Sequence, residues 1–290
     1  MIFTACKKIV FYFIISTTLL LLSACSSIIS STTGKMADNL SYTILNSDDP
    51  KTIADGAPAY LLLLDSFLVD SATDPDLLQS AATLYSAYAG IFVSEPLRAV
   101  RMSNKALNYA QQALCLTDKN LCNIRKSNFE SFTSQVKQIN NNNIHSWYIL
   151  GTAWAGWIKA NSGSMAAIAK LPKVTLIMTR IVAIDDSWKN GQAHLYLGVL
   201  NTLLPPALGG KPEQGQFHFK RAIKLSKGKD LMAKTLYAEK YARLVFNQKL
   251  HDQLLQEVIQ ADPYVKNMTL MNILAQEKAQ QLLDSSADYF

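Results

Sequence analysis

Apolar side chains after residue 50 recur mainly three and four positions apart, which is the spacing of amphipathic helices. Few runs alternate apolar and polar residues in the way that half-buried strands do. We therefore predict an all-α fold of about eleven helices joined by short loops, stacked as helical hairpins. The predicted helices cover 57–69, 77–92, 96–114, 124–139, 144–161, 172–184, 190–204, 212–226, 231–246, 250–261 and 270–285.

A weak internal repeat refines this picture. The stretch from Trp147 to Trp154 has a tryptophan, a leucine followed by Gly151, and a second tryptophan at the spacings of the tetratricopeptide pattern W-x2-L-G-x2-Y. A second Leu-Gly pair, ending at Gly198, follows His194 in the same register. Glycine at this position lets two helices of a hairpin approach closely. Residues 51–290 are thus expected to form tetratricopeptide-like repeats, with a generic helical bundle as the alternative.

The first 24 residues have the features of a lipoprotein signal peptide. Lys7 and Lys8 precede a largely apolar run over 9–22. This run is shorter than the roughly 20 residues that a transmembrane helix needs. The run ends in Leu-Ser-Ala-Cys25, which resembles the lipobox of bacterial lipoproteins. That resemblance implies cleavage before Cys25 and acylation of its sulfur. An ordinary signal peptide followed by a chance cysteine is the alternative.

Residues 25–50 are expected to form the lipidated N-terminus and a flexible tether. More than one acyl chain is needed for stable anchoring, because each buried CH₂ contributes only about 0.8 kcal/mol. Ser26 follows the cysteine, where aspartate is the usual inner-membrane retention signal. The sequence therefore favours a periplasm-facing chain anchored in the outer rather than the inner membrane.

Composition excludes several classes of protein. Hydrophobic residues make up 49% and charged residues 17% of the 290, which argues against disorder. The net charge of +6 is thinly spread, so nucleic-acid binding is not expected. The four histidines lie far apart and no paired CxxC is present, so no metal is expected. No cofactor motif and no catalytic motif occurs, and the chain is not expected to be an enzyme.

Two cysteines remain besides Cys25 in the exported part of the chain. Cys115 and Cys122 follow a predicted helix and are separated by six residues. In an oxidising compartment they are expected to form a disulfide. The alternative is two free, buried cysteines.

Four segments together resemble a known family. Residues 203–213 read Leu-Leu-Pro-Pro-Ala-Leu-Gly-Gly-Lys-Pro-Glu, in which the prolines and glycines mark a sharp turn between two helices. Further matching motifs lie at 84–89, 217–225 and 236–246. With the lipobox, they make the chain similar to the T-component of TRAP transporters, the tripartite ATP-independent periplasmic uptake systems.

The resemblance implies an all-helical, tetratricopeptide-like periplasmic lipoprotein without enzymatic activity. It also implies association with the transporter's soluble periplasmic substrate-binding protein, and a homotrimer with a ligand-accommodating pore. Function is therefore expected to be docking of that binding protein, together with passage of a small ligand through an aromatic-lined pore. An envelope-assembly scaffold without ligand is the main alternative, and a cell-wall hydrolase is a third.

Aromatic and charged residues on helix faces supply candidates for the pore lining, because amphipathic rings suit the wall of a cavity. The candidates are Tyr85, Tyr88, Trp147, Trp154, Trp157, Arg180, His194 and Tyr196. The alternative for the aromatics is packing between hairpins, and for His194 a hydrogen-bonded core position. Arg180 has Asp185 and Asp186 nearby as possible ion-pair partners, or it receives an anionic substrate.

Overall fold

The computed structural model describes residues 39–70 and 73–290, apart from the side chain of Asp70. Within those residues there are thirteen α-helices and no strands, so the predicted all-α class is confirmed. The helices are α1 (Pro50–Asp70), α2 (Pro75–Ile91), α3 (Pro96–Thr117), α4 (Phe129–Val136), α5 (Ile144–Ala160), α6 (Met165–Ile168), α7 (Leu171–Ile184), α8 (Trp188–Asn201), α9 (Pro212–Leu225), α10 (Leu231–Leu236), α11 (Gln248–Gln260), α12 (Thr269–Asp284) and α13 (Ser286–Tyr289). A short helical segment at 39–45 precedes them.

The helices pack as consecutive antiparallel hairpins. The main pairs are α2 with α3, α5 with α7, α8 with α9, and α11 with α12. Neighbouring hairpins contact each other through α3 and α5, and through α7 and α8. The first long helix, α1, packs on α2 and also contacts α12. The predicted stack of helical hairpins is therefore confirmed, and its two ends meet.

Two glycines of the repeat pattern lie where paired helices come closest. A Cβ atom at Gly151 would lie 2.7 Å from Met178 Cε and 3.2 Å from Ile177 Cγ2. A Cβ atom at Gly198 would lie 2.8 Å from the ring of Phe219. Both distances are shorter than ordinary contacts. The Phe219 ring cannot move away easily, so α8 and α9 need glycine at 198, whereas at 151 the nearest atom is the flexible end of Met178 and a larger residue would shift it.

The interior divides into two main cores that share α8. The first is built around Phe132, whose ring meets the rings of Trp147 and Trp154 edge-on at 6.4 and 6.0 Å between centroids. The second is built around Phe219, which stacks on Tyr237 at 5.5 Å. Successive positions of α8 point into one core or the other, because helical residues two apart lie on different faces.

The helix predicted over 124–139 forms only over Phe129–Val136, so the prediction is wrong at both ends. A 3-10 turn at Lys119–Leu121 and further turns occupy the chain up to Asn128, which caps α4 by accepting a hydrogen bond from Ser131 N at 2.8 Å. Asparagine favours such a cap over a helix interior, which explains the late start. The sulfurs of Cys115 and Cys122 are bonded to each other and close the loop that leads into this region.

Two other predicted bounds also change. The helix expected over 231–246 ends at Leu236 and continues as a π-helical turn, Tyr237–Ala242. The first helix begins at Pro50 rather than 57, because Asp49 Oδ1 accepts hydrogen bonds from the backbone N of Lys51 and Thr52, both at 3.0 Å.

Helix α1 is long and apolar enough to cross a membrane by length and composition: within Pro50–Val69, an 18-residue window has a mean hydropathy of 1.3. It nevertheless carries a charged side chain that ties it to the domain. The Asp65 carboxylate accepts hydrogen bonds from Tyr85 at 2.6 Å, from Tyr109 at 2.8 Å and from Lys105. Three partners on α2 and α3 compensate the cost of partly burying this charge.

We predict that Gly198→Ala destabilises the fold, because the added methyl group must displace the fully buried Phe219 ring. The expected loss is about 1–3 kcal/mol in the free energy of unfolding, measured by urea denaturation. Gly156→Ala is the matched control. It also lies inside a helix but meets nothing within 4 Å, so it should be neutral or add up to about 1 kcal/mol. Equal effects of the two changes would contradict the close-approach interpretation.

Candidate functional site

Five side chains from α5 and α8 form what we call the inner cluster: His145, Tyr148, Trp188, Lys189 and Tyr196. Tyr148 lies at its centre, with the rings of Tyr196 and Trp188 edge-on to it at 6.1 and 6.5 Å between centroids. The His145 ring is 6.5 Å from that of Trp188. Tyr148, Trp188 and Tyr196 are only half-buried, so part of each ring stays uncovered by the residues that the structure describes.

Charge and hydrogen-bonding capacity accompany these rings. Burial raises the pKa of Tyr196 to about 12, and burial, with Tyr196 and Asp230 nearby, raises the pKa of Tyr148 well above its usual value. Both phenols are therefore neutral donors at physiological pH. The Lys189 ammonium lies 5.3 Å from the centre of the Tyr148 ring, a cation–π distance. The cluster offers an aromatic wall, two hydroxyl groups and one cation.

An unusual backbone turn carries Lys189 to this position. Lys189, Asn190 and Gly191 have φ values of 45°, 59° and 88°, so three consecutive residues are left-handed. Gly191 cannot be replaced without strain, since a Cβ there would lie 3.0 Å from the side chain of Leu225. Non-glycine residues in this region cost of order 1–3 kcal/mol each. The structure around Lys189 must therefore hold it there.

The predicted candidates Tyr85 and Tyr88 are structural in this arrangement. Both are buried, and their hydroxyl groups donate to Asp65 Oδ2 at 2.6 Å and to Ala54 O at 3.2 Å. They join α2 to α1. Neither belongs to the inner cluster.

The three predicted tryptophans differ in burial. Trp147 and Trp154 are about 1% exposed and pack on Phe132 in the first core. Trp157 is half-buried at the edge of the same core, where its Nε1 donates to Asn104 Oδ1 at 2.6 Å. Of the eight predicted pore candidates, the structure brings only Tyr196 into the inner cluster.

Arg180 contacts neither aspartate that the sequence offered. Its guanidinium donates to the carbonyl oxygens of Ile139 at 3.0 Å and Lys137 at 3.2 Å. Both carbonyl groups lie just after the C-terminus of α4, where the helix itself provides no donors. Arg180 donates the hydrogen bonds that these backbone acceptors need. It holds α7 against the preceding loop.

His194 lies in a buried polar network between α8 and α9. Its Nε2 is 2.8 Å from Asp186 Oδ1, and its Nδ1 is 2.8 Å from His218 Nδ1. Arg221 donates from Nε to Asp186 Oδ2 at 2.9 Å and contacts the same oxygen through its terminal nitrogen. The Arg221 hydrogen bond and that from His194 hold the pKa of Asp186 below its usual range. From the sequence, His194 could be a hydrogen-bonded core residue or part of a ligand site. Its contacts with Asp186 and His218 show that it is a hydrogen-bonded core residue.

Sequence reasoning missed Tyr148, Trp188 and Lys189. Tyr148 lies inside the Trp147–Trp154 repeat stretch, on a helix face that the repeat pattern does not describe. The Asn190-Gly191 pair is a turn signal that could have revealed the left-handed turn. The acylation candidate Cys25 lies outside the described residues. Among the residues that the structure describes, no group of three or more histidine, cysteine or acidic side chains is arranged to hold a metal ion.

The histidine network predicts a pH-dependent stability. Burial, with His194 nearby, lowers the pKa of His218 from 6.5 to about 4, so the unfolded chain binds this proton more tightly. The free energy of unfolding should therefore fall as the pH decreases from about 6.5 to 4. His218→Gln should reduce that slope in denaturation curves recorded across this range. His145→Gln is a necessary companion, because burial also lowers the pKa of His145. An unchanged slope in His218→Gln would contradict the assignment.

Comparison with known proteins supports the resemblance found in the sequence. A search of curated proteins gave no match. The family model described as TRAP transporter T-component matches residues 46–290, which covers the whole hairpin stack. The chain therefore belongs to the TRAP transporter T-component family.

Proposed function

We propose that the chain is a docking and ligand-handling component of a TRAP-type uptake system. The family match makes it a transporter component, not a member of an enzyme class. The inner cluster is the observation that supports ligand handling, because half-buried aromatic rings beside the exposed Lys189 form a surface that no other described residue covers completely. In this proposal the ligand moves without any covalent step.

The chemistry of the inner cluster favours an amphipathic ligand. The Tyr148, Trp188 and Tyr196 rings suit an apolar body, and the phenol hydroxyls and Lys189 suit an acidic or polar group. Burial lowers the pKa of Lys189, and an anionic ligand group would offset that cost by pairing with it.

The fluorescent probe 1-anilinonaphthalene-8-sulfonate has both features and tests the proposal. We expect saturable binding to the folded protein, weakened by Tyr196→Leu and by Lys189→Gln. Loss of one aromatic contact, about 0.5–1.5 kcal/mol, corresponds to a roughly 2- to 12-fold weaker affinity. Tyr264→Leu is the control, because Tyr264 is exposed and remote from the cluster in sequence. Equal binding by all variants would favour the scaffold alternative without ligand.

A separate surface carries the docking part of the proposal. The loop before α9 exposes Leu208 to 67%, and α9 exposes Phe217 to 61%. Phe217, Lys220 and Lys224 are spaced three and four apart, so they share one face of the helix. Residues 211–229 contain six basic side chains and one acidic one, a local net charge of +5. This surface suits an acidic face of the periplasmic substrate-binding protein, with apolar anchors inside a basic rim.

We predict that the double variant Lys220→Glu, Lys224→Glu weakens binding to the transporter's substrate-binding protein by at least about 10-fold, because like charges would then face each other. Surface plasmon resonance at two salt concentrations measures this, and wild-type affinity should fall as salt rises. Lys249→Glu, Lys266→Glu makes the same charge change on exposed residues elsewhere and should leave affinity within about 2-fold. Equal losses in the two double variants would contradict docking through α9.

We further propose that acylated Cys25 holds the domain at the periplasmic face of the outer membrane. Its support is the signal-like segment over 1–24 and the Leu-Ser-Ala-Cys sequence. The short segment before α1 would then connect the anchor to the hairpin stack. Mass spectrometry of the mature N-terminal peptide tests this directly: an unmodified Cys25 would contradict the anchor.

A further inference from the structure

A depression of about 600 Å³ lies between α3, the loop that follows α3, and α5. It is separate from the inner cluster. One wall is Trp157, nine residues after Tyr148 on α5, and nine residues at 100° each place the two side chains on opposite faces of the helix. The floor and rim include Asn108, Gln112, Arg125, Lys126 and Lys170.

The charges in this depression are all of one sign. Arg125, Lys126 and Lys170 line it, and no acidic side chain from the described part of the chain does. None of the three forms an ion pair with any residue that the structure describes. The half-buried Arg125 guanidinium donates from one terminal nitrogen to the neutral Asn108 Oδ1 at 3.0 Å. Burial without an acidic partner lowers its pKa, so a negative ligand would relieve an existing cost.

The loop that carries Arg125 is fixed from several sides. The Cys115–Cys122 disulfide ties its start to α3, and Gln111 on α3 donates to Cys122 O. From below, the buried Lys173 ammonium donates to Ser127 O at 2.5 Å and to Arg125 O at 3.3 Å. The backbone at Arg125 is therefore held before any ligand arrives, which reduces the entropy lost on binding.

The Trp157 ring is held as well. Its Nε1 donates to Asn104 Oδ1 at 2.6 Å, and the exposed part of the indole faces the depression. Beside it, the Asn108 and Gln112 amides offer donors and acceptors. An indole face with amides at its edge suits a ring that carries hydroxyl groups.

We propose that this depression binds a phosphate monoester carried on a sugar-like body. The dianion would lie against Arg125, Lys126 and Lys170, because a planar guanidinium pairs with two phosphate oxygens and the ammonium groups add charge. The sugar ring would stack on Trp157. A free sugar phosphate and a phosphorylated lipid headgroup share this chemistry.

Isothermal titration calorimetry of the folded protein tests the proposal with glucose 6-phosphate, inorganic phosphate and glucose as probes. Glucose 6-phosphate should bind at least about 5-fold more tightly than inorganic phosphate, and glucose should not bind measurably. Arg125→Gln should weaken glucose 6-phosphate binding by at least about 10-fold. Trp157→Leu should reduce its affinity to that of inorganic phosphate. Vesicles containing phosphatidylinositol 4-phosphate, whose headgroup has a phosphate monoester on a hydroxylated ring, would identify a lipid source of the same group if they bind the wild type but not Arg125→Gln.

Controls separate this site from general attraction of anions. Arg101→Gln removes an exposed arginine on α3 outside the depression and should change nothing. Lys170→Gln, at the rim, should weaken binding by about 3-fold and replaces Arg125→Gln if that variant does not fold. The proposal is overturned if neither glucose 6-phosphate nor phosphatidylinositol 4-phosphate vesicles bind saturably, if glucose alone binds, or if Arg101→Gln and Arg125→Gln weaken binding equally.

Discussion

The close approach of paired helices is the constraint on which the rest of this structure depends. It is possible because Gly151 and Gly198 have no side chain where Met178 and Phe219 pass over them. Once α5 lies against α7, the large rings of Trp147 and Trp154 can only fill the first core, around Phe132. The opposite faces of α5 are then left for other contacts. In the α5/α7 and α8/α9 hairpins, a glycine at the contact thus helps to decide which aromatics are structural.

Polar side chains inside the stack follow a common rule. Asp65, Lys173, Arg180 and His194 all lie between helices, and each has partners on another element. A buried charge without such partners would cost several kcal/mol, so these contacts also fix the register of the helices they join. Because such residues have partners inside the fold, a charged residue on an apolar helix is poor evidence for a ligand site in this protein.

The inner cluster and the depression beside Trp157 do not follow this rule, and they lie on opposite sides of α5. On one side, a left-handed turn holds Lys189 over the Tyr148 ring. On the other side, Arg125 pairs with the neutral Asn108, and no carboxylate in the described part of the chain pairs with it. In both places a positive charge has no acidic partner among the residues that the structure describes. A transport component with two such surfaces can engage different ligands at the same time, because a helix diameter separates them.

Periodicity alone determined the all-helical class, most helix bounds and the hairpin stack, because apolar residues at helical spacing must face a core. The Leu-Pro-Pro-Ala-Leu-Gly-Gly segment and its neighbours determined the family. Most residues of the candidate site could not be predicted from the sequence. Trp147 and Tyr148 are adjacent and both aromatic, yet only the packing of α7 and α8 against α5 decides that the first is core and the second is partly open. Arg125 is likewise one of 28 basic residues in the sequence. Only folding, which brings distant segments together, decides that its neighbour among the described residues is the neutral Asn108 and not an acidic side chain.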